Sequence, residues 1–217
     1  MVTPDFLRRT RDGYDAAAAH YARHFHHYLD DKPFELAMLA AFAALVGAGG
    51  RVVDVGCGTG PTTAILAGHG CDVVGVDLSE AMIRQARRLN PHLDFRTGSM
   101  TALDFGTGGF AGVCAWYSTI HIPDETLPEV FAEFHRVLHR GGHLLLAFQV
   151  GRRPRELREA WGHRVELTYH RREPADVLRL LDRSGFTEVA RLQREPYPTD
   201  SPDVEAIPQA FLVARKA

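Results

Sequence analysis

Residues 52–60, VVDVGCGTG, set Gly56, Gly58 and Gly60 directly behind a β-branched run, with Pro61 opening the next segment. Glycine lets a backbone turn sharply and approach a ligand closely. A helix N-terminus behind such a loop offers unpaired N–H groups to a polar ligand. Spacing narrows the choice. A dinucleotide loop reads GxGxxG; this one reads GxGxG, with Pro61 at the last position of the dinucleotide pattern. Asp54 stands two residues before the first glycine, and Asp77 ends the next apolar run. An acid there can accept hydrogen bonds from ribose hydroxyls. The loop and its two acids predict a nucleoside-bearing ligand rather than a bare strand–helix turn.

Twelve histidines are many for 217 residues. His20, His24 and His27 share one helical face, and Tyr14 and Tyr21 lie near one face as well. Three readings stay open: a partly exposed amphipathic helix, a lid whose tyrosines reach the ligand while its histidines face a substrate, or an HxxxH metal site. No nearby cysteine or HExxH pattern supports the metal, so none is expected. His121, in TIHIP, follows an apolar run at the edge where open α/β sheets bind ligands. An imidazole pKa of about 6.5 suits a base near neutral pH; helix packing is the alternative. Tyr117 is the neighbouring candidate, as a hydrogen-bond partner or a wall. Trp161, His163, Tyr169 and His170 would either cover the sheet edge or form an aromatic lid. Arg152, Arg153 and Arg155 would steer an anion or simply be solvated.

These groups need elements to hold them. Residues 51–55, 72–76, 93–97, 112–116 and 143–149 read as strands, most of them apolar enough to be buried on both faces. Ser79 is placed to N-cap a helix that Asn90-Pro91 stops. Residues 127–138 have helical spacing and reach Gly141-Gly142; Pro174 starts another helix, with Gly185 after its end. Residues 188–195 and 209–216 look like a closing antiparallel pair. Residues 14–29 read as a helix, and Leu36, Leu39, Phe42 and Leu45 as the stripe of a second. Residues 151–170 show little strand character and form a cap. The expectation is an α/β, doubly wound, mostly parallel seven-stranded Rossmann-like sheet with helices on both faces and an N-terminal helical lid. It is one domain over 1–217: lid helices in 1–50, a cofactor-binding half in 51–150, and lid insertion and closing strands in 151–217.

Composition sets outer bounds. With 45% hydrophobic and 24% charged residues the chain is an ordinary globular protein. Lys+Arg 25 against Asp+Glu 27 gives a net charge of −2, so nothing in the total points to a nucleic-acid partner. The longest uncharged run, 36–50, is shorter than the roughly 20 residues of a spanning helix. The three cysteines, Cys57, Cys71 and Cys114, show no CxxC spacing, and the N-terminal residues lack a signal peptide's apolar core. A soluble cytoplasmic protein is expected, monomer or homodimer, without membrane or nucleic-acid partners.

The chain resembles the class I S-adenosylmethionine-dependent methyltransferases. DVGCGTG at 54–60 is similar to their first motif, VGVDLS at 74–79 to the second, and RGGHLLL at 140–146 to the turn into the fifth strand. The resemblance implies S-adenosylmethionine as cofactor and S-adenosylhomocysteine as product. Gly56, Cys57, Gly58 and Gly60 would approach the methionine moiety, with Asp54 before them, and Asp77 would hold the ribose. Leu78 and Met82 would pack near the adenine, with Gly98, Ser99 and Met100 beside it; Ser99 stands where the family usually has an acid. Ala115, Trp116 and Tyr117 would line the fourth strand's end, and Tyr14 and Tyr21 would reach the cofactor carboxylate. His121, Tyr117 and His24 are the candidate catalytic residues. The activated methyl needs only an in-line nucleophile, and a base only where the acceptor is protonated. The implied reaction is methyl transfer to O, N or C of a small-molecule acceptor. The alternatives are non-methylating chemistry on the same fold and a non-catalytic cofactor-binding regulator.

Overall fold

Apolar runs without alternation need cover on both faces, and the chain supplies a helix after almost every one. The computed structural model describes residues 4–25, 27–197 and 207–217. Two helices lead, α1 (Asp5–Phe25) and α2 (Pro33–Val46). Then come β1 (Arg51–Val55), α3 (Pro61–Gly68), β2 (Asp72–Asp77), α4 (Glu80–Leu89), β3 (Asp94–Thr97), β4 (Phe110–Trp116), α5 (Leu127–Val137) and β5 (Leu138–Gln149). A hairpin of β6 (Arg155–Ala160) and β7 (His163–Tyr169) precedes α6 (Pro174–Arg183), β8 (Phe186–Arg194) and β9 (Gln209–Lys216).

The main sheet has seven strands in the order β3-β2-β1-β4-β5-β9-β8. β1 runs parallel to both β2 and β4, and β9 is antiparallel between β5 and β8. The strand order reverses between β1 and β4, so the crevice opens where their carboxyl ends part. Successive strand residues face opposite sides. Val52, Cys114, Leu145 and Phe211 meet Leu39 and Phe42 of α2 and Leu66 of α3. Their neighbours Val53, Val113, Leu144 and Leu212 meet Phe131 and Phe134 of α5 and Leu181 of α6.

Four local expectations change. The helix expected over 14–29 begins at Asp5 and ends at Phe25; its alanines Ala17, Ala18 and Ala22 bury against the domain. Leu45 of the expected stripe is 44% exposed, while Leu39 and Phe42 carry the packing of α2. α5 ends at Val137 rather than at Gly141-Gly142, because Leu138 pairs at once with Phe110. The two glycines lie in a bulge of β5 that returns the register at His143 opposite Gly112. The cap over 151–170 is largely a β-hairpin, whose Val165 and Leu167 turn inward between charged neighbours. It docks on α1 at Gly13, where a side chain would put a Cβ 3.1 Å from Leu167.

No described helix is long and apolar enough to cross a membrane. α2 is tied to β8 by a buried ion pair: Arg194 Nε donates to Glu35 Oε1 at 2.8 Å, and the Tyr197 hydroxyl donates to Oε2 at 2.9 Å. Removing one partner of such a pair strands the other charge. Glu35→Ala is therefore expected to lower the unfolding free energy by about 3 kcal/mol in a urea titration. A change no larger than that of an exposed pair such as Arg96–Asp94 would contradict this.

Candidate active site

The loop after β1 is shaped by two neighbours. Gly56 has φ +75°, and a Cβ there would fall 2.2 Å from that of Ser118. Ser118, just beyond β4, donates its hydroxyl to the Val55 carbonyl at 2.6 Å and closes the gap between the two strand ends. Asp77 holds the loop from the other side. Its Oδ2 accepts the Gly58 N–H and its Oδ1 the Ser79 N–H, both at 2.8 Å. A carboxylate has about four acceptor positions, so positions remain for a ligand's hydroxyls. Ser79 caps α4 as expected, accepting the Met82 N–H at 3.1 Å.

α1 closes over this framework through Asp15, whose Oδ1 accepts the Ser79 hydroxyl at 2.6 Å and the Ala81 N–H at 3.1 Å. One residue earlier, the Tyr14 hydroxyl and His121 Nε2 share a hydrogen bond of 2.8 Å. His121 ends a short 3-10 turn, Thr119–His121, which Arg172 holds from beneath. Arg172 is 6% exposed and donates to the carbonyls of Thr119 and Ile122 and to Asp124. The His170 N–H bonds the Ile120 carbonyl at 2.7 Å and ties the end of the hairpin to the turn.

The result is a cavity of about 1050 Å³, at the top of the roughly 300–1,000 Å³ range of small-molecule sites. Gly56, Gly58, Asp77, Leu78, Met82, Gly98, Ser99 and Met100 line one half. Tyr14, Tyr21, Trp116, Tyr117 and His121 line the rest with Trp161 and Tyr169, and His24 stands exposed at the rim. Four expected ligand contacts lie behind the wall. The Asp54 carboxylate is fully buried and accepts the Thr63 hydroxyl at 2.6 Å, bracing α3 against β1. Cys57 packs with Phe95 and Ile83, Gly60 abuts the Phe95 ring, and Ala115 belongs to the core. The Tyr14 hydroxyl is engaged by His121 rather than left for a cofactor carboxylate.

Ser118, Gln149, Tyr28 and Gln209 also line the cavity, and Asp15 and Arg172 position its walls. A polar residue ending an apolar strand, as Gln149 ends β5, was the one local signal for these. Among the described residues, only Tyr117 and Trp161 are non-glycine with positive φ, each +52°. That conformation costs roughly 1 kcal/mol per residue, and both residues face the cavity.

Burial sets the charges. It raises the Asp77 carboxyl to about 6 and the Asp54 carboxyl to about 7. It lowers His121 to about 4, leaving the ring neutral at physiological pH. The phenols of Tyr14, Tyr21 and Tyr28 are pushed upward by the same cause and stay protonated.

The glycine loop bonded to the acid of the second strand lies in the stretch of this chain that is similar to known methyltransferases. The chain matches the family model of the methyltransferase domain over residues 52–142. It is similar to demethylmenaquinone methyltransferase of Renibacterium salmoninarum, 36% identical over 99 residues, 46% of this chain and 41% of that protein. It is also similar to sterol 24-C-methyltransferase of Saccharomyces cerevisiae, 33% identical over 135 residues, 59% of this chain and 32% of that protein. The chain thus spans less than half the length of these curated relatives. Among solved structures, magnesium protoporphyrin IX methyltransferase of Synechocystis PCC 6803 aligns over 100% of both chains, with TM-score 0.73 and 20% identity.

Asp54 provides a stability test. Its folded pKa lies above the unfolded value of about 3.9, so the folded state holds the extra proton and the parent loses stability as pH rises from about 4 to about 7. Asp54→Asn carries no such charge. In urea titrations of the ligand-free chain at pH 5 and pH 8, the stability difference should move in the variant's favour by about 2 kcal/mol with rising pH. A difference independent of pH would mean that Asp54 is not held protonated.

Proposed function

We propose that the protein transfers the methyl group of S-adenosylmethionine to an oxygen, nitrogen or carbon of a small-molecule acceptor, releasing S-adenosylhomocysteine. The carrying observation is one cavity that holds both the Gly58–Asp77 cradle and an aromatic compartment under α1 and the β6–β7 hairpin. The cradle fits the cofactor: Gly58 brings bare backbone to the wall, and Asp77 keeps acceptor positions for ribose hydroxyls. Bound there, S-adenosylmethionine supplies a methyl already activated on a sulfonium.

The chain's residues take these roles in the proposal. Asp77 accepts the ribose, and Leu78 and Met82 flank the adenine with Gly98, Ser99 and Met100. Tyr21 lies over Gly58, 3.9 Å from where a side chain would begin, and serves the methionine end better than Tyr14, whose hydroxyl is occupied. Trp116, Tyr117 and the Tyr14–His121 pair stand on the acceptor side. Burial lowers His121 to about 4, too weakly basic for the general base its type suggested, so the neutral ring orients the acceptor through Tyr14. His24 bonds the His20 carbonyl and guards the mouth rather than the reacting atoms. α1 and the hairpin exclude water. A cavity walled largely by aromatic side chains on a chain of net charge −2 favours a metabolite over nucleic acid. Three buried, unpaired cysteines fit a reducing cytoplasm.

Calorimetric titration with S-adenosylmethionine, S-adenosylhomocysteine and NADH tests the reading. The two adenosyl ligands should bind with dissociation constants on the order of micromolar and NADH far more weakly. Asp77→Asn, chosen to keep one carbonyl acceptor for the loop, should weaken them by about tenfold or more. Because the hydroxyls need the ionised carboxylate, affinity should be level above pH 7 and fall toward about tenfold per unit below pH 6. Acceptor products should gain the mass of one methylene. Stronger NADH binding, or products of unchanged mass, would overturn the proposal.

A further inference from the structure

We propose that the acceptor half of the cavity takes a flat, uncharged aromatic ring carrying a hydroxyl or N–H group, bounded by Trp161 and Tyr117 and with its polar hydrogen on Gln149. This rests on the methyltransferase reading and narrows its substrate class.

Backbone conformation is the first support. Trp161 and Gly162 form the two-residue turn between β6 and β7, both at positive φ. Such turns favour Asn, Asp or Gly at both places, so a tryptophan serves something other than the turn. Its ring is set among α1 aromatics, 5.6 Å from Tyr14, 5.1 Å edge-on to Tyr21 and 6.1 Å from Phe25. Tyr117 has the same disfavoured backbone at the end of β4, held by its N–H bond to the Ala147 carbonyl at 2.9 Å. Strain in a residue that lines a ligand cavity is the pattern expected of a positioned contact. Aromatic walls favour a ring that can stack or meet them edge to face.

Charge is the second support. Lys32 apart, the buried polar groups of the acceptor side are neutral, since its phenols stay protonated and His121 stays neutral. Arg155, Glu159 and Asp31 lie at the exposed rim, and Lys32 is directed to the Tyr197 ring at 4.5 Å. An ionised ring would lose its hydration without gaining a buried counter-ion.

Gln149 supplies the third. It ends β5 on the cavity wall, and its Oε1 is buried with no hydrogen-bond donor among the described residues. A buried acceptor is costly without a donor, and an O–H or N–H of the ring would satisfy it.

The test is calorimetry on the full chain, with and without saturating S-adenosylhomocysteine, using 2-naphthol, its saturated counterpart 2-decalol, naphthalene and naphthalene-2-sulfonate. We expect 2-naphthol to bind about tenfold or more tightly than the decalol and the sulfonate. Trp161→Ala should weaken it about tenfold and Trp161→Phe only about threefold or less. Gln149→Leu should weaken 2-naphthol about tenfold and leave naphthalene unchanged. Equal or tighter binding of the sulfonate or the decalol overturns the proposal without any variant, as does indifference of 2-naphthol to both substitutions in folded protein. If S-adenosylhomocysteine fails to bind, the cofactor reading falls, and the aromatic subsite is judged on the titrations without it. If it binds and 2-naphthol does not, the subsite alone is wrong.

Discussion

The Asp77 carboxylate is the constraint that organises the site. It binds the Gly58 and Ser79 amides at once, so a single side chain sets the glycine loop and the start of α4. Ser79 passes the arrangement on, capping α4 with one lone pair and donating its proton to Asp15 of α1. Asp15 in turn fixes Tyr14, which meets His121 on a turn that Arg172 braces. Each hydrogen bond is worth about 1 kcal/mol net, but their sequence couples the glycine loop to α1 and α1 to the turn that carries His121. Loop, lid and turn are therefore parts of one structure.

The site holds destabilising features that the surrounding packing offsets. The Asp77 carboxyl sits where burial favours its protonated form, a histidine is kept neutral, and two aromatic residues occupy left-handed backbone. They line one cavity, while the paired valines, leucines and phenylalanines of both layers supply the compensating burial. Such clustering is expected where geometry serves a ligand rather than the fold.

The stretch matched to the methyltransferase domain, residues 52–142, contains the loop, Asp77, Ser118 and His121. α1, the β6–β7 hairpin and Gln149 lie outside it and line the rest of the cavity. The division has a chemical basis. Backbone amides and the Asp77 carboxylate furnish the inner half, and aromatic side chains of α1 and the hairpin furnish much of the outer half.

Local chemistry along the chain was enough to read the alternation of strands and helices, the cofactor cradle and the cap of α4. Glycine spacing, β-branched runs without alternation, and Ser79 before a helical pattern carry that information within a few residues. The same reading singled out Tyr14, Tyr21, Tyr117 and His121, which line one cavity. Their partners were settled by tertiary packing. Nothing local in 151–170 announced a hairpin, because its inward Val165 and Leu167 are sparse among charges and gain their meaning only beneath α1. Asp15 and Arg172 carried no signal, since each acts on carbonyls, hydroxyls or amides tens of residues away. Asp54 reads as a ligand contact from its spacing and becomes a buried brace through Thr63, because strand alternation turns it from the cavity toward α3. Spacing along the chain reports which residues can share an element; only packing between elements settles which of them meet.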